Sequence, residues 1–212
     1  MKGLLLRELY NLKLYFRQYL LVLVCFCVFG IGMDMPSYMM WMSLVVGINL
    51  SFSAFTMDEA GGYAYLLSCP LDRKDMVLEK YFTVILNAVM ILTYSALGEF
   101  LNHLIKGTGT ESWLATVFVV QGIYFLVTSV LVPVAYRYGV EKTRIVMMLI
   151  ILTPVVVILV SVKILDMDAL IQISGASRSL FDMLPYLFFA ASLMVFGGSY
   201  LISLKVFEKM EF

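Results

Sequence analysis

Charge is scarce in this sequence and histidine nearly absent. Only 14% of the 212 residues are Asp, Glu, Lys or Arg, and His103 is the one histidine. A single histidine cannot supply the HExxH pair of a zinc protease. No GxxxxGK[ST] run occurs: "GTGTESW" lacks the lysine, so no P-loop holds ATP on this chain. No GxSxG elbow occurs, because "SGASRS" has the wrong spacing. The three cysteines, Cys25, Cys27 and Cys69, form no CxxC, which argues against a disulfide framework or a zinc site. Cys25 and Cys27 lie in an apolar run and read as small apolar filler. No basic tail and no Arg/Lys stripe with interleaved aromatics is present, so nucleic acid is not an expected partner. The first residues mix Leu with Arg7, Glu8 and Lys13 and do not read as a cleavable signal. No repeat or low-complexity segment is evident.

What is abundant is apolar surface. Hydrophobic residues make up 62% of the chain, and mean hydropathy is +0.93. A soluble domain of this size cannot hide so much, so the expected solvent is lipid. A spanning helix needs roughly 20 mostly apolar residues. The pattern predicts an all-α polytopic membrane protein, one transmembrane domain over 1–212 with six spans. They fall at about 19–33, 36–55, 81–104, 113–134, 145–162 and 183–204. Residues 1–18 predict an amphipathic helix in the headgroup plane. Leu5, Leu9, Leu12 and Phe16 share one face, with Arg7, Asn11 and Gln18 opposite. Polar segments separate the spans, notably 57–80, the short loop "YRYGVEKTR" (136–144) and the longer 163–182.

Lys and Arg set the orientation. Twelve of the fifteen lie in the N-terminal helix, in 57–80, in the fourth-to-fifth loop and in the tail; only Lys106, Lys163 and Arg178 lie on the other side. Both termini are therefore expected in the cytoplasm. Within the spans, Gly47 with Ser51 and Gly197–Gly198 suit close helix packing. Tyr38 and Trp41 in "YMMWM" read as interface anchors. The spans carry almost no internal charge, which speaks against a proton-coupled pump. Glu99 and His103, one helical turn apart near a span end, have two readings: a hydrated helix end, or a carboxylate–imidazole pair for protons or metal.

The segment between the second and third spans has internal design. Asp58 and Glu59 open it, Gly61–Gly62 allow bending, and Tyr63, Tyr65, Leu66 and Leu67 form a small apolar surface. Pro70 interrupts the chain. Asp72 then suits a helix N-cap, with Asp75 three residues on. The helix so started runs through Lys80 and Tyr81 into the third span.

On these residues the chain resembles the compact ABC-2 type permeases of ABC exporters. That family has an acidic pair after the second span and then an "LP-x-x-R-x-x-x-V-x-x-K-Y" run. The counterparts are Asp58–Glu59, Pro70, Arg73, Val77, Lys80 and Tyr81, with Cys69 where Leu is common. Composition is most similar to permeases that export amphipathic peptides such as phenol-soluble modulins. The resemblance implies a homodimeric permease with two separate ATPase subunits, which bind the ATP and Mg, in a bacterial plasma membrane. No cofactor or metal is expected on this chain. It also implies a coupling helix in 57–80 that docks on the ATPase.

The expected function is export of a hydrophobic or amphipathic solute, peptides first, with no catalytic residue. ATPase coupling is assigned to Asp58, Glu59, Tyr63, Leu67, Pro70 and Arg73. Arg7, Lys13, Arg137, Glu141 and Lys142 are inner-surface candidates. Two alternatives remain: a membrane-embedded lipid-modifying enzyme or protease built on Glu99 and His103, and a non-transporting scaffold or immunity subunit.

Overall fold

The computed structural model describes residues 10, 13, 19–30, 32, 36–57, 73–106, 113–164 and 178–208, and among them there is no strand. The helices are α1 (Tyr19–Gly30), α2 (Pro36–Met57), α3 (Arg73–Lys106), α4 (Trp113–Ile164) and α5 (Arg178–Glu208). Among the described residues, three stretches are long and apolar enough to cross a membrane: Lys74–Leu101, Trp113–Ile150 and Met183–Phe207. Tyr19–Gly30 and Met39–Ser53 are shorter apolar helices.

Local chemistry explains the helix ends. Pro36 opens α2, where a missing N–H breaks no helical bond. α3 begins at the residue after Asp72, and Asp75 in its first turn opposes the positive end of the helix dipole. Lys205 in the last turn of α5 does the converse. The 34 residues of α3 rise about 51 Å. A hydrocarbon core is roughly 30 Å thick, so part of α3 stands outside it.

The core is built from stripes at helical spacing. On α3 the stripe is Val77, Tyr81, Val84, Ala88, Ile91 and Ser95, all buried. It packs with Met40, Leu44, Ile48, Phe52 and Phe55 of α2, with Val120, Tyr124 and Leu131 of α4, and with Phe196 and Phe207 of α5. The opposite faces stay exposed and apolar, as with Ile85, Val89 and Leu92 on α3 or Leu187, Met194 and Leu201 on α5. Such faces are liabilities in water and are at rest in lipid. Hydroxyls within the helices bond their own backbone, for example Thr83 to Glu79 O at 3.0 Å and Thr128 to Tyr124 O at 2.8 Å. That hides a polar group that hydrocarbon cannot solvate.

Three sequence expectations change. Where a polar loop is predicted over 136–144, helix continues on both sides and only Gly139 leaves it, at φ 79° and ψ 173°. That backbone region is essentially open to glycine alone, so one residue does the work of a loop. Second, the helix itself carries buried charge: Glu79 and Lys80 are each 3% exposed, and Glu99 is buried as well. Third, the glycines differ. A Cβ on Gly47 would meet Ile91 Cγ1 at 2.8 Å, so α2 and α3 do approach closely there. At Gly197 and Gly198 a Cβ would meet nothing within 4 Å, so among the described residues this pair serves no helix contact.

Candidate functional site

The charged start of α3 is knitted into the bundle rather than standing clear of it. Val77 is 0% exposed, and Lys80 and Tyr81 are buried. Lys80 Nζ lies 5.6 Å from the centroid of Phe55 at the end of α2. An ammonium at that range over an aromatic face is attracted by the ring quadrupole, more strongly where water is excluded. Phe55 meets Tyr136 of α4 edge-on at 5.6 Å, and Tyr136 meets Phe207 of α5 at 5.1 Å. The cluster therefore joins α2, α3, α4 and α5 at one end of the bundle.

Tyr81 adds a hydrogen-bonded tie whose proton directions can be worked out. Ser199 Oγ donates to Ser129 O at 2.6 Å, so its contact with Tyr81 OH at 2.7 Å has Tyr81 donating. The Tyr81 proton being so engaged, Ser203 Oγ donates to Tyr81 OH at 2.8 Å. The ring also contacts Phe196 at 5.0 Å and Tyr200 at 5.2 Å. One residue of α3 thus holds two turns of α5 and, through Ser199, the backbone of α4.

Further along α3 is a second polar layer. Tyr124 OH donates to Val84 O at 3.0 Å. Its only proton being used, Tyr124 accepts from Ser51 Oγ at 2.6 Å. Ser51 can then only accept, and Asn87 Nδ2 donates to it at 2.9 Å. This order fixes the Asn87 amide: its NH2 faces Ser51, and Oδ1 is buried with no hydrogen-bond partner among the described residues. Gln121 repeats the pattern, with Nε2 donating to Ala88 O at 2.8 Å and Oε1 left without a partner.

Each of these amides sits in the wall of a cleft. Asn87 lines a cleft of about 620 Å³ between α1, α2 and α3. Gln121 lines a smaller one of about 280 Å³ between α3, α4 and α5. Both are otherwise almost wholly apolar. Tyr94 OH donates to Leu23 O at 2.7 Å and so fixes α1 against α3 along the larger cleft.

At the Gly139 kink the polar side chains point outward. Arg137 and Lys142 flank the Tyr138 ring, at 5.2 Å and 5.9 Å from its centroid, and the ring is half exposed. Glu141 is exposed beside them. Thr143 Oγ1 donates to Gly139 O at 2.7 Å and secures the turn.

The predicted residues divide accordingly. Arg137, Glu141 and Lys142 come together on the kink surface, and Lys13 is exposed. Arg73 is the first residue of α3. Asp58, Glu59, Tyr63, Leu67, Pro70 and Arg7 lie outside the described residues. Glu99 is buried whereas His103, one turn on, is exposed, and no group of three or more His, Cys, Asp or Glu among the described residues is arranged to hold a metal. Sequence reasoning missed Ser51, Asn87, Gln121 and Tyr124 as a connected layer. The signal available was polar residues at core positions of apolar helices, at 51, 87, 121 and 124.

Compared with family models, residues 3–208 match the one described as ABC-2 family transporter protein. No curated protein and no solved structure matches the chain.

Proposed function

The chain belongs to the ABC-2 transporter family, a family of membrane permeases, and from that premise we propose that it is the permease of an ATP-driven exporter. Its solute is hydrophobic or amphipathic, with an amphipathic peptide the first choice. Two copies form the path. Each carries a separate ATPase subunit that binds ATP and Mg, and both termini face the cytoplasm of a bacterial cell. The segment 57–80 holds the docking element, with Asp58, Glu59, Tyr63, Leu67, Pro70 and Arg73 as its contact residues. Arg137, Glu141 and Lys142 present a second inner surface, and Arg7 and Lys13 are further inner-surface candidates.

One observation carries this reading: α3 is unbroken from Arg73 onward, and its first turns bury Val77, Lys80 and Tyr81, with Lys80 against α2 and Tyr81 against α5. A displacement delivered at Arg73 has no flexible joint in which to dissipate. It passes through Lys80 to α2 and through Tyr81 to α5. Packed interiors transmit strain of this kind because they are dense and bistable rather than soft.

The test is biochemical. The purified chain alone is expected to hydrolyse no ATP, and a P-loop ATPase should co-purify with it from its own host. Charge reversal at Asp58–Glu59, or Arg73→Glu, should leave the complex assembled while the solute no longer stimulates its ATPase. Normal stimulation in those variants sinks the coupling assignment.

A further inference from the structure

We propose that the Gly139 kink of α4 is a docking surface for the headgroup of an anionic phospholipid, held by Arg137, Lys142 and Arg144 around the Tyr138 ring. The site goes beyond the transport reading and needs neither solute nor ATPase.

Arg137, Tyr138, Glu141, Lys142 and Arg144 are all exposed. Arg137 Cζ lies 5.2 Å and Lys142 Nζ 5.9 Å from the Tyr138 centroid. On an unbroken helix, residues five apart point about 140° from each other. Across the break at Gly139, with its glycine-only backbone of φ 79° and ψ 173°, both charges stand over one ring. Glu141 offsets one of the three positive charges and leaves the cluster net positive. Like charges gathered on a strained backbone repel one another. An anion among them relieves that repulsion, and the ring contacts have already ordered two of the side chains that receive it.

Depth makes that anion a lipid headgroup. From Trp113 to Tyr138, α4 rises about 38 Å. That exceeds a hydrocarbon core of roughly 30 Å but not the roughly 40–45 Å that includes the headgroups. Trp and Tyr favour the two membrane–water interfaces. With Trp113 at one interface, the kink stands among the headgroups of the other.

The next turns of α4 supply the other half of the site. Ile145, Met148, Leu149 and Leu152 are exposed and apolar. At 3.6 residues per turn they share one arc, with Lys142 and Arg144 about 80° to either side of its midline and Glu141 close to it. A phosphate among the cations therefore has its acyl chains lying along this arc. A protein docking from the water would leave the arc uncovered, and a free phosphate gains nothing from it. A phospholipid satisfies the cations and the arc together.

The experiment offers the purified full chain in detergent an equimolar mixture of dioleoyl phosphatidylglycerol and dioleoyl phosphatidylcholine, and counts retained lipids by native mass spectrometry. Phosphatidylglycerol is expected to be retained about tenfold over phosphatidylcholine. Arg137→Gln, Lys142→Gln and Arg144→Gln together should abolish the preference. Lys13→Gln, Lys74→Gln and Lys205→Gln together, which remove three exposed charges elsewhere, should keep it. Glu141→Gln should raise it severalfold, because the cluster gains one net positive charge. Excess sn-glycerol 3-phosphate should displace no lipid. Displacement by it would make the ligand a free phosphate and overturn the proposal. An intact preference in the first triple variant, with loss of a co-purifying ATPase, would make the surface a protein contact and overturn it too. So would equal loss of preference in both triple variants, or no gain in Glu141→Gln. Should the first triple variant fail to fold, Glu141→Gln still decides. The lipid assay contains no ATPase, so failure of the transport reading registers separately.

Discussion

Tyr124 shows how much a single side chain settles in lipid. Its hydroxyl gives its proton to Val84 O and takes one from Ser51, which in turn takes one from Asn87. Tyr124→Phe removes an acceptor and a donor together, and leaves groups in hydrocarbon that no water reaches. The expected loss is about 1–3 kcal/mol, read as a lower thermal unfolding temperature in detergent micelles. The same change in a Ser51→Ala background should cost less, because Ser51 no longer has a proton to place. Additive losses would mean that the layer is not connected. None of this was visible from the sequence, where Ser51, Asn87, Gln121 and Tyr124 appear as four unrelated polar residues in apolar runs. Their separations of 36 and 73 positions from Ser51 to Asn87 and Tyr124 carry no period to read.

At the scale of elements, glycines separate strained joints from packed crossings and open faces. Gly139 sits at φ 79°, where a side chain meets its own backbone. Gly139→Ala is expected to cost about 1–3 kcal/mol and to lower the unfolding temperature. Gly122 is helical but crowded: a Cβ would meet the Phe188 ring at 2.7 Å, in the most extensive helix contact among the described residues, between α4 and α5. Gly122→Val should therefore destabilise. Gly197→Ala has open space and should stabilise by about 0.5–1 kcal/mol. A scan in which all three shift the same way would contradict this ranking. The helices were largely legible, since Pro36, the N-cap position before Arg73 and the apolar periods all lie in local sequence. The joint at 136–144 was misread as a loop because its polarity is real: Arg137, Tyr138, Glu141 and Lys142 are exposed. Polarity reports solvent, not helix breakage.

For the whole molecule, orientation is the open quantity, and it can be measured directly. Lys13, Lys142 and Lys205 are all exposed and all belong to the Lys/Arg-rich side. Single cysteines at these positions in a cysteine-free background should react with an impermeant maleimide only after the cytoplasmic face is opened. Labelling of Lys142→Cys and Lys205→Cys from opposite faces would break the orientation. The motif residues Val77, Lys80 and Tyr81 show where sequence reading stops. As a block they were legible and carried the family resemblance. That they turn inward was not, because a lysine in a charged run reads as solvated until a Phe55 ring is placed over it. Composition and period alone determined a lipid solvent, helical elements and the absence of a P-loop, because these depend on local residue chemistry. Only the tertiary structure decided which polar groups meet, which charges are buried and where a cleft remains. Those depend on how five helices face one another, and helix orientation about its own axis is set by neighbours distant in the chain.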